Sequence, residues 1–443
     1  MKEVNTENCA ISKEDLLDGG DFIAEYSVAL GQFANRLAGT ETETACARSI
    51  RDRLQSETGA KVRLEAFRAK PYVGRGMFPF LGLWFLFSMV LYYLSFAGGR
   101  VAGALLTLLA LCVFLTGGAV LVSLFLGFDT FKGLVTSKTS YNVVSESAVR
   151  AKDNKKTKTI VIADNHDAVL GSYFQNFGAF RKIAFIFAPV TAILFVLFCV
   201  LKMAIGATTP VAIAVFTILP TINGIIGIFV IATHFSPFEK HARQNNGIGT
   251  AVAMATYAYF VEYPELLPEN TKIVYVSFGA ENAAHGGSEA FVATHKDYDG
   301  VEAICVGDIL SKNFQVAECD AVRKISFSTH LVSTIRSAAH GQGIDFGTVN
   351  HTGISHTLNS LHGYASNAFA KRHMDTATVV AKDYSGGQSD LDRGDVERLF
   401  SLLVGAVKKL AEETANDDDD KIETLNLEQD SLFKEDKSKA HKN

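Results

Sequence analysis

Thr271 to Val292 reads TKIVYVSFGAENAAHGGSEAFV. Its apolar run, Ile273 to Phe278, is rich in β-branched and aromatic residues and reads as a buried strand. The run ends in Gly279-Ala280, followed by Glu281-Asn282, a turn over Ala283 to Gly287, and Ser288 opening a helix. A carboxylate at the end of a central strand, beside a glycine-rich turn, stands where open α/β sheets place their chemistry. A strand leading into an ordinary capped helix gives the same local pattern. The stretch therefore fixes a strand-turn-helix unit and only nominates Glu281.

The 443 residues leave room for two or three domains, and 48% of them are hydrophobic. The mean hydropathy of +0.16 is high for a soluble chain, and the excess is concentrated in two blocks. A net charge of −5 carries no bulk basic signal, which argues against nucleic acid as a partner. The six cysteines show no C-x-x-C spacing and read as free thiols in a reducing compartment. The polar opening, MKEVNTENCAISKEDLLDGGDF, shows no cleavable signal peptide.

Read in order, residues 1–76 supply soluble elements: a helix over Asp21 to Leu37, a second over Glu43 to Glu57, and a strand near Lys61 to Phe67. Residues 77–128 form one apolar block, with Met77 to Ala97 and Val101 to Phe128 separated only by Gly98-Gly99-Arg100. Residues 181–236 form a second, with Ile183 to Leu201 and Val211 to Thr233. Each stretch has about the 20 residues a membrane helix needs, so two transmembrane hairpins and four crossings are expected. Four crossings place 1–76, 129–180 and 237–415 on one side. That side carries Arg68, Lys70, Arg75, Lys132, Lys138, Arg181, Lys182, Lys240 and Arg243 near the membrane, against Arg100 and Lys202 opposite. The positive-inside rule then puts the soluble domain and both termini in the cytoplasm, on a bacterial-type plasma membrane. The spans contain no Asp, Glu or Arg, which favours anchoring over charge-coupled transport.

Between and after the hairpins lie strand candidates at Tyr141 to Val144, Thr159 to Ala163 and Val301 to Val306. Gln244-Asn245-Asn246-Gly247-Ile248-Gly249 is expected to open a helix that runs to about Val261, with further helices over Phe327 to Ala339 and Asp395 to Glu413 and a weak strand at Tyr364 to Ala370. Residues 416–443 are polar and charged and read as a disordered tail, its Asp417 to Asp420 run a solvated one.

These pieces, in this order, resemble the co-catalytic di-zinc aminopeptidases, a family that also includes glutamate carboxypeptidases and the transferrin-receptor ectodomain. Arg36-Leu37-Ala38-Gly39-Thr40 is similar to its opening segment, and Tyr141-Asn142-Val143-Val144 to its N-V strand. Ile160 to Val169 is similar to the strand that ends in H-x-D, and Asn245-Asn246-Gly247-Ile248-Gly249 to D-N-x-S-G at a helix start. Glu281-Asn282 with Gly287-Ser288 is similar to E-E…G-S, Val301 to Asp308 to the strand ending in N-x-D, and His373-Met374-Asp375-Thr376 to H-T…D-T. The second hairpin, inserted between the first two metal motifs, is a departure. The resemblance implies an α/β fold, a mixed central sheet sandwiched by helices, with the two hairpins added.

It also implies a site. Carried over position by position, the first-motif His falls on Asn165, with Asp167 kept as the residue that orients it. The bridging Asp falls on Asn245 and the ligand Glu on Asn282. Glu281 is kept as the general base, Asp308 as the strand-end ligand and His373 as the last ligand. Zinc is the cofactor the resemblance implies. Three of the five ligand positions are Asn, which removes about two negative charges and leaves one zinc site with His373 and the other with Asp308. Zinc holds its charge on imidazole and carboxylate donors, so tight binding is expected to be lost. His166 is a candidate substitute, although a one-residue shift on a strand turns a side chain to the other face. His241 and His285 near the rim read as exposed turn residues. Two readings remain: a membrane-anchored relative that binds a peptide or protein partner without zinc, or an active exopeptidase with shifted ligands, favoured by the intact Glu281. A transport role is a third, disfavoured by the uncharged spans.

Overall fold

The computed structural model describes residues 11–33, 35–71, 78–126, 136–150, 157–170, 178–206, 209–234, 242–243, 247–283, 285–298, 300–309, 311–320, 323–349, 364–381 and 391–413. Twelve strands are described: β1 (Val62–Ala69), β2 (Lys138–Glu146), β3 (Lys158–Asn165), β4 (Val169–Leu170), β5 (Ala242–Arg243), β6 (Thr271–Phe278), β7 (Val301–Ile309), β8 (Gln315–Ala317), β9 (Cys319–Asp320), β10 (Ile325–Ser326), β11 (Gly347–Val349) and β12 (Asp375–Ala381). Eight of them form one sheet in the order β1-β2-β6-β3-β7-β12-β8-β11. Its centre, β6-β3-β7-β12, is parallel, while β1, β2 and β8 run antiparallel to neighbours. The fold is thus mixed α/β.

The helices are α1 (Lys13–Gly31), α2 (Glu41–Thr58), α3 (Phe78–Leu94), α4 (Arg100–Leu126), α5 (Gly178–Ile205), α6 (Pro210–His234), α7 (Ile248–Glu262), α8 (Gly286–Thr294), α9 (Thr329–Gly341), α10 (Ser366–Ala370) and α11 (393–413). Alternation along the strands divides the core. Ile160, Ile162, Ile273 and Tyr275 face α1, α2, α7, α9 and α11. Val161, Ala163, Val274 and Val276 face Phe291 of α8 and Phe369 of α10. Strands buried on both faces need near-continuous apolar sequence, which is what β3 and β6 supply. The α7 helix is small-residued because it runs close over the sheet: a Cβ on Gly249 would lie 2.8 Å from the Gly307 carbonyl oxygen.

The apolar blocks fold as α3 to α6, with α3 against α4 and α6, α4 against α5, and α5 against α6. Among the described residues three helices are long and apolar enough to cross a membrane, at Arg100–Val120, Ile186–Ile205 and Pro210–Phe229. The expectation of four is corrected at α3. Its 17 described residues rise only about 25 Å, short of a hydrocarbon core of about 30 Å, and the chain turns out of the helix after Leu94.

Side-chain donors on α3 tie the bundle together. Trp84 Nε1 donates to the Val113 carbonyl at 2.7 Å and Ser88 Oγ to the Ala110 carbonyl at 2.7 Å. Tyr92 OH donates to the Phe216 carbonyl at 2.9 Å. That carbonyl lies four residues before Pro220, which cannot donate to it, so Tyr92 fills the gap the proline leaves. Lys202, expected in an outer loop, instead folds inward. Its Nζ donates to the Tyr92 carbonyl at 3.2 Å and to Ser95 Oγ, and stands 3.1 Å from the Phe96 ring centre. A cation over aromatic faces, at the carbonyl end of α3, is stabilised by both.

Candidate functional site

Asn165 closes β3 and pairs with Phe278 at the end of β6; Asp308 lies next to last on β7. All three belong to the carboxyl edge of the parallel strands. Past β3 the chain turns through His166-Asp167-Ala168, held by Arg36. That guanidinium donates from Nε to the His166 carbonyl at 2.9 Å and from Nη1 to the Leu30 carbonyl at 2.5 Å. In return the Ala168 amide donates to the Arg36 carbonyl at 2.7 Å. The Arg36-Leu37-Ala38-Gly39-Thr40 segment is therefore a clamp on this edge, and Arg36 is buried for that reason.

Asp167 is fully buried at the centre of the edge. The backbone amide of Asn282 donates to its Oδ2 at 2.8 Å, and Asn282 Nδ2 to its Oδ1 at 2.9 Å. Asn165 Nδ2 donates to Oδ1 as well, at 3.4 Å. Burial, with Glu43 close by, holds the Asp167 carboxyl well above the usual carboxylate range. Glu43 is itself buried and raised by burial. It accepts from Ser140 Oγ at 2.8 Å, the Ala280 amide at 2.7 Å and the Gly39 amide at 2.6 Å.

Glu281 follows Ala280, whose φ is +48°, and precedes His285, whose φ is +58°. Both are left-handed positions that cost a side-chain-bearing residue energy, and they curl the turn around the carboxylate. Its Oε1 accepts from His285 Nδ1 at 2.7 Å and from Ser288 Oγ at 2.9 Å, and its Oε2 from the Ser288 amide at 2.9 Å. Ser288 is in the first turn of α8, so the carboxylate caps that helix and meets its positive end. His285, expected as an exposed turn residue, is buried; with Nδ1 donating to Glu281, its Nε2 has no hydrogen-bond partner among the described residues.

Two glycines let these turns meet. Asn142 Nδ2 donates to the Gly287 carbonyl at 2.9 Å while its Oδ1 accepts from the Gly279 amide at 3.2 Å. A Cβ on Gly287 would collide with the Gly279 carbonyl and lie 2.8 Å from Asn142 Oδ1. Gly287→Ala is therefore expected to destabilise the fold by about 1–3 kcal/mol. Thermal unfolding of the purified protein checks this; an unchanged midpoint would show that the turn has slack.

Two nominated residues are corrected. Asp375, two residues after His373, pairs with Glu302 near the start of β7, whereas Ala381 pairs with Ile309 at its end. His373 therefore belongs to the amino edge of the sheet, about 20 Å of strand from Asp308, and it is exposed. β12 ends at the carboxyl edge with Ala381, and the next residues in sequence, KDYSGGQSD over 382–390, lie outside the described residues and contain no His. His166 continues the face of Ile160 and Ile162, opposite to Asn165: its Nδ1 lies 3.0 Å from Ser277 Oγ, which donates to Asp164 Oδ1 at 2.5 Å. It is no substitute for Asn165. Asn245 and His241 lie outside the described residues.

Sequence reading assigned no site role to Glu43, Asn142 or Asp164. Glu43 had a signal: Thr40-x-x-Glu43 is a capping box, with Thr40 Oγ1 accepting the Glu43 amide at 3.2 Å.

Two zinc ions would need imidazole and carboxylate donors at this edge. At two of the expected ligand positions, Asn165 and Asn282, the described residues bring amides, whose N–H groups are turned onto Asp167, and the carboxylates of Asp167 and Glu281 are taken up by hydrogen bonds. They do not fit a zinc pair. Among the described residues no group of three or more His, Cys, Asp or Glu is placed to hold a metal ion. Five cysteines are described and all are free.

No protein-family model matches the chain, and no curated protein sequence matches it. Among solved structures, a zinc aminopeptidase from Bacillus subtilis is similar with a TM-score of 0.46 at 11% identity, over 89% of this chain and 95% of that one. An aminopeptidase from Aneurinibacillus sp. strain AM-1 gives 0.46 at 12%, over 88% and 93%. A glutaminyl cyclase from Fimbriiglobus ruber gives 0.43 at 11%, over 88% and 95%. These are partial likenesses from which no activity follows, and the fold stands on the strand order and register above.

Proposed function

We propose that this chain is a membrane-anchored, aminopeptidase-like protein that acts by binding a peptide or protein partner rather than by zinc chemistry. One observation carries the reading. Both oxygens of Asp167, the buried carboxylate at the centre of the edge, are taken by N–H donors from Asn282 and Asn165. Those N–H bonds direct both oxygens toward the two asparagines, and burial holds the carboxyl well above the usual carboxylate range, so both disfavour a cation there. Glu281 is occupied likewise, by His285 and Ser288. Anchoring is supported by three long apolar helices whose outer faces expose residues such as Val101, Ile193 and Val211. β1 and β2, on either side of the first block, pair in one sheet, so that block leaves and returns on one side and α3 must complete its hairpin despite the short rise; the basic residues beside the blocks support the cytoplasmic side.

The test is elemental analysis of the full chain purified in detergent, with turnover of short peptides under added Zn²⁺, Mn²⁺ and Co²⁺. Zinc far below one ion per chain and no release of amino acids are expected. Two tightly held ions would overturn the reading. The rival, an active exopeptidase, draws on the retention of Glu281 at a strand end beside Asp167. Amino-acid release abolished by Glu281→Gln in a stably folded variant would establish it.

A further inference from the structure

At the far side of the sheet, the second half of α9 and the segment that follows it border an open, solvent-facing cavity of about 420 Å³. This is within the range of small-ligand pockets, about 300–1,000 Å³. Ser333, Arg336, Ser337 and His340 line it from the helix, spaced i, i+3, i+4 and i+7 and so on one face. Ile344, Asp345 and Phe346 close the other wall, with Ile344 and Phe346 leaning on the main core. Lys409 of α11 donates to Ser337 Oγ, bringing another cation to the helix side.

Charge arrangement is the informative feature. Arg336 and Asp345 line the same cavity, both exposed, yet their side chains make no ion pair with each other or with any described residue. Other exposed arginines, Arg48, Arg68 and Arg372, also make no ion pair with a described residue, so what sets Arg336 apart is that it shares its cavity with Asp345. Here a cation on one wall and an anion on the other stand apart over an apolar floor. A phosphate ester would satisfy Arg336 and be repelled by Asp345. A zwitterion satisfies both.

We propose that this cavity binds a free apolar α-amino acid. Its carboxylate is taken by the Arg336 fork, its ammonium by Asp345, and its side chain by Ile344 and Phe346. Arg336 presents two parallel N–H donors that match a carboxylate. His340, one turn further along, adds a donor on the same side. The site is separated from the Asp167 edge by β7, β12 and β8 in the sheet order, so it does not depend on the reading of that edge.

The test is calorimetric titration of the full chain in detergent with L-leucine and L-phenylalanine, then with leucinamide and N-acetyl-leucine. Saturable binding of the amino acids is expected, weakened at least about tenfold by blocking either end. Arg336→Gln and Asp345→Asn should each weaken it by a similar factor. Both are exposed surface changes, and an unchanged melting temperature verifies the fold. Asp167→Asn, which alters the other edge, should leave binding intact. No saturation by about 10 mM overturns the proposal, as does N-acetyl-leucine or inorganic phosphate binding as well as leucine.

Discussion

Asp164→Asn is expected to make the protein about 3 kcal/mol more stable at pH 7 and no more stable at pH 4. Asp164 is buried beneath the edge, and burial pushes its carboxyl from 3.8 up to about 6. The folded state therefore keeps a proton that the unfolded chain releases above pH 3.8. Its favourable contribution is full below that value and is lost as pH rises through 6, a change of about 3 kcal/mol at 1.36 kcal/mol per unit. Asn carries the same oxygen for Ser277 to donate to and never ionises, so it escapes the loss. His166, joined to Asp164 through Ser277, titrates with the opposite sign. Burial, reinforced by the Arg36 guanidinium, pushes its imidazole from 6.5 down to about 3. It is held neutral, so its contribution is full above 6.5 and is lost as pH falls toward 3. Between pH 6 and 4 the two slopes offset each other in the wild type. With Asn at 164 only the histidine slope remains, a loss of about 3 kcal/mol from pH 6.5 to 4. Denaturant titration at several pH values, read as variant minus wild type, measures this. Parallel curves would mean that Asp164 is ionised throughout, its burial relieved by water.

What could be read in advance followed how local each signal was. The runs Ile273 to Phe278 and Val301 to Val306 announce β6 and β7, because a strand buried on both faces has no room for polar residues. Tyr364 to Ala370 misled: Ser366 to Phe369 are all buried and read as strand, but they form the single turn of α10. The first helix was expected over Asp21 to Leu37 and instead spans Lys13–Gly31, capped by Ser12 Oγ, because Arg36 is drawn away to the His166 carbonyl. His373 failed for a different reason. Whether a residue before a strand lies at the amino or carboxyl edge depends on the partner's direction, and β12 is set by pairing with β7, some seventy residues away. Lys202 likewise looked like a loop residue because its partners, Tyr92 and Ser95, belong to the other hairpin. The asparagines at 165 and 282 were legible as residues. Their amides turning inward onto Asp167 was not, since that depends on two loops meeting.

Glu281→Ala separates the two readings of the edge, and the larger effect is expected on stability. The substitution removes the acceptor for three buried donors at once: His285 Nδ1, Ser288 Oγ and the Ser288 amide. Each buried donor left without a partner costs about 1–3 kcal/mol, and the α8 cap is lost with them, so a total of roughly 3–5 kcal/mol is expected. Glu281→Gln should fall between, because a neutral amide offers one acceptor oxygen and turns an N–H₂ toward the remaining donors. A proton-shuttling carboxylate behaves in the reverse order. It serves the reaction and not the fold, so Gln would preserve the melting temperature and remove turnover. Melting temperature and peptide hydrolysis, measured on the wild type and both variants, decide the matter. Loss of stability without any activity to lose assigns Glu281 to the turn it caps. Full stability with turnover abolished returns it to catalysis, and would require that the three donors find other acceptors when the carboxylate is gone.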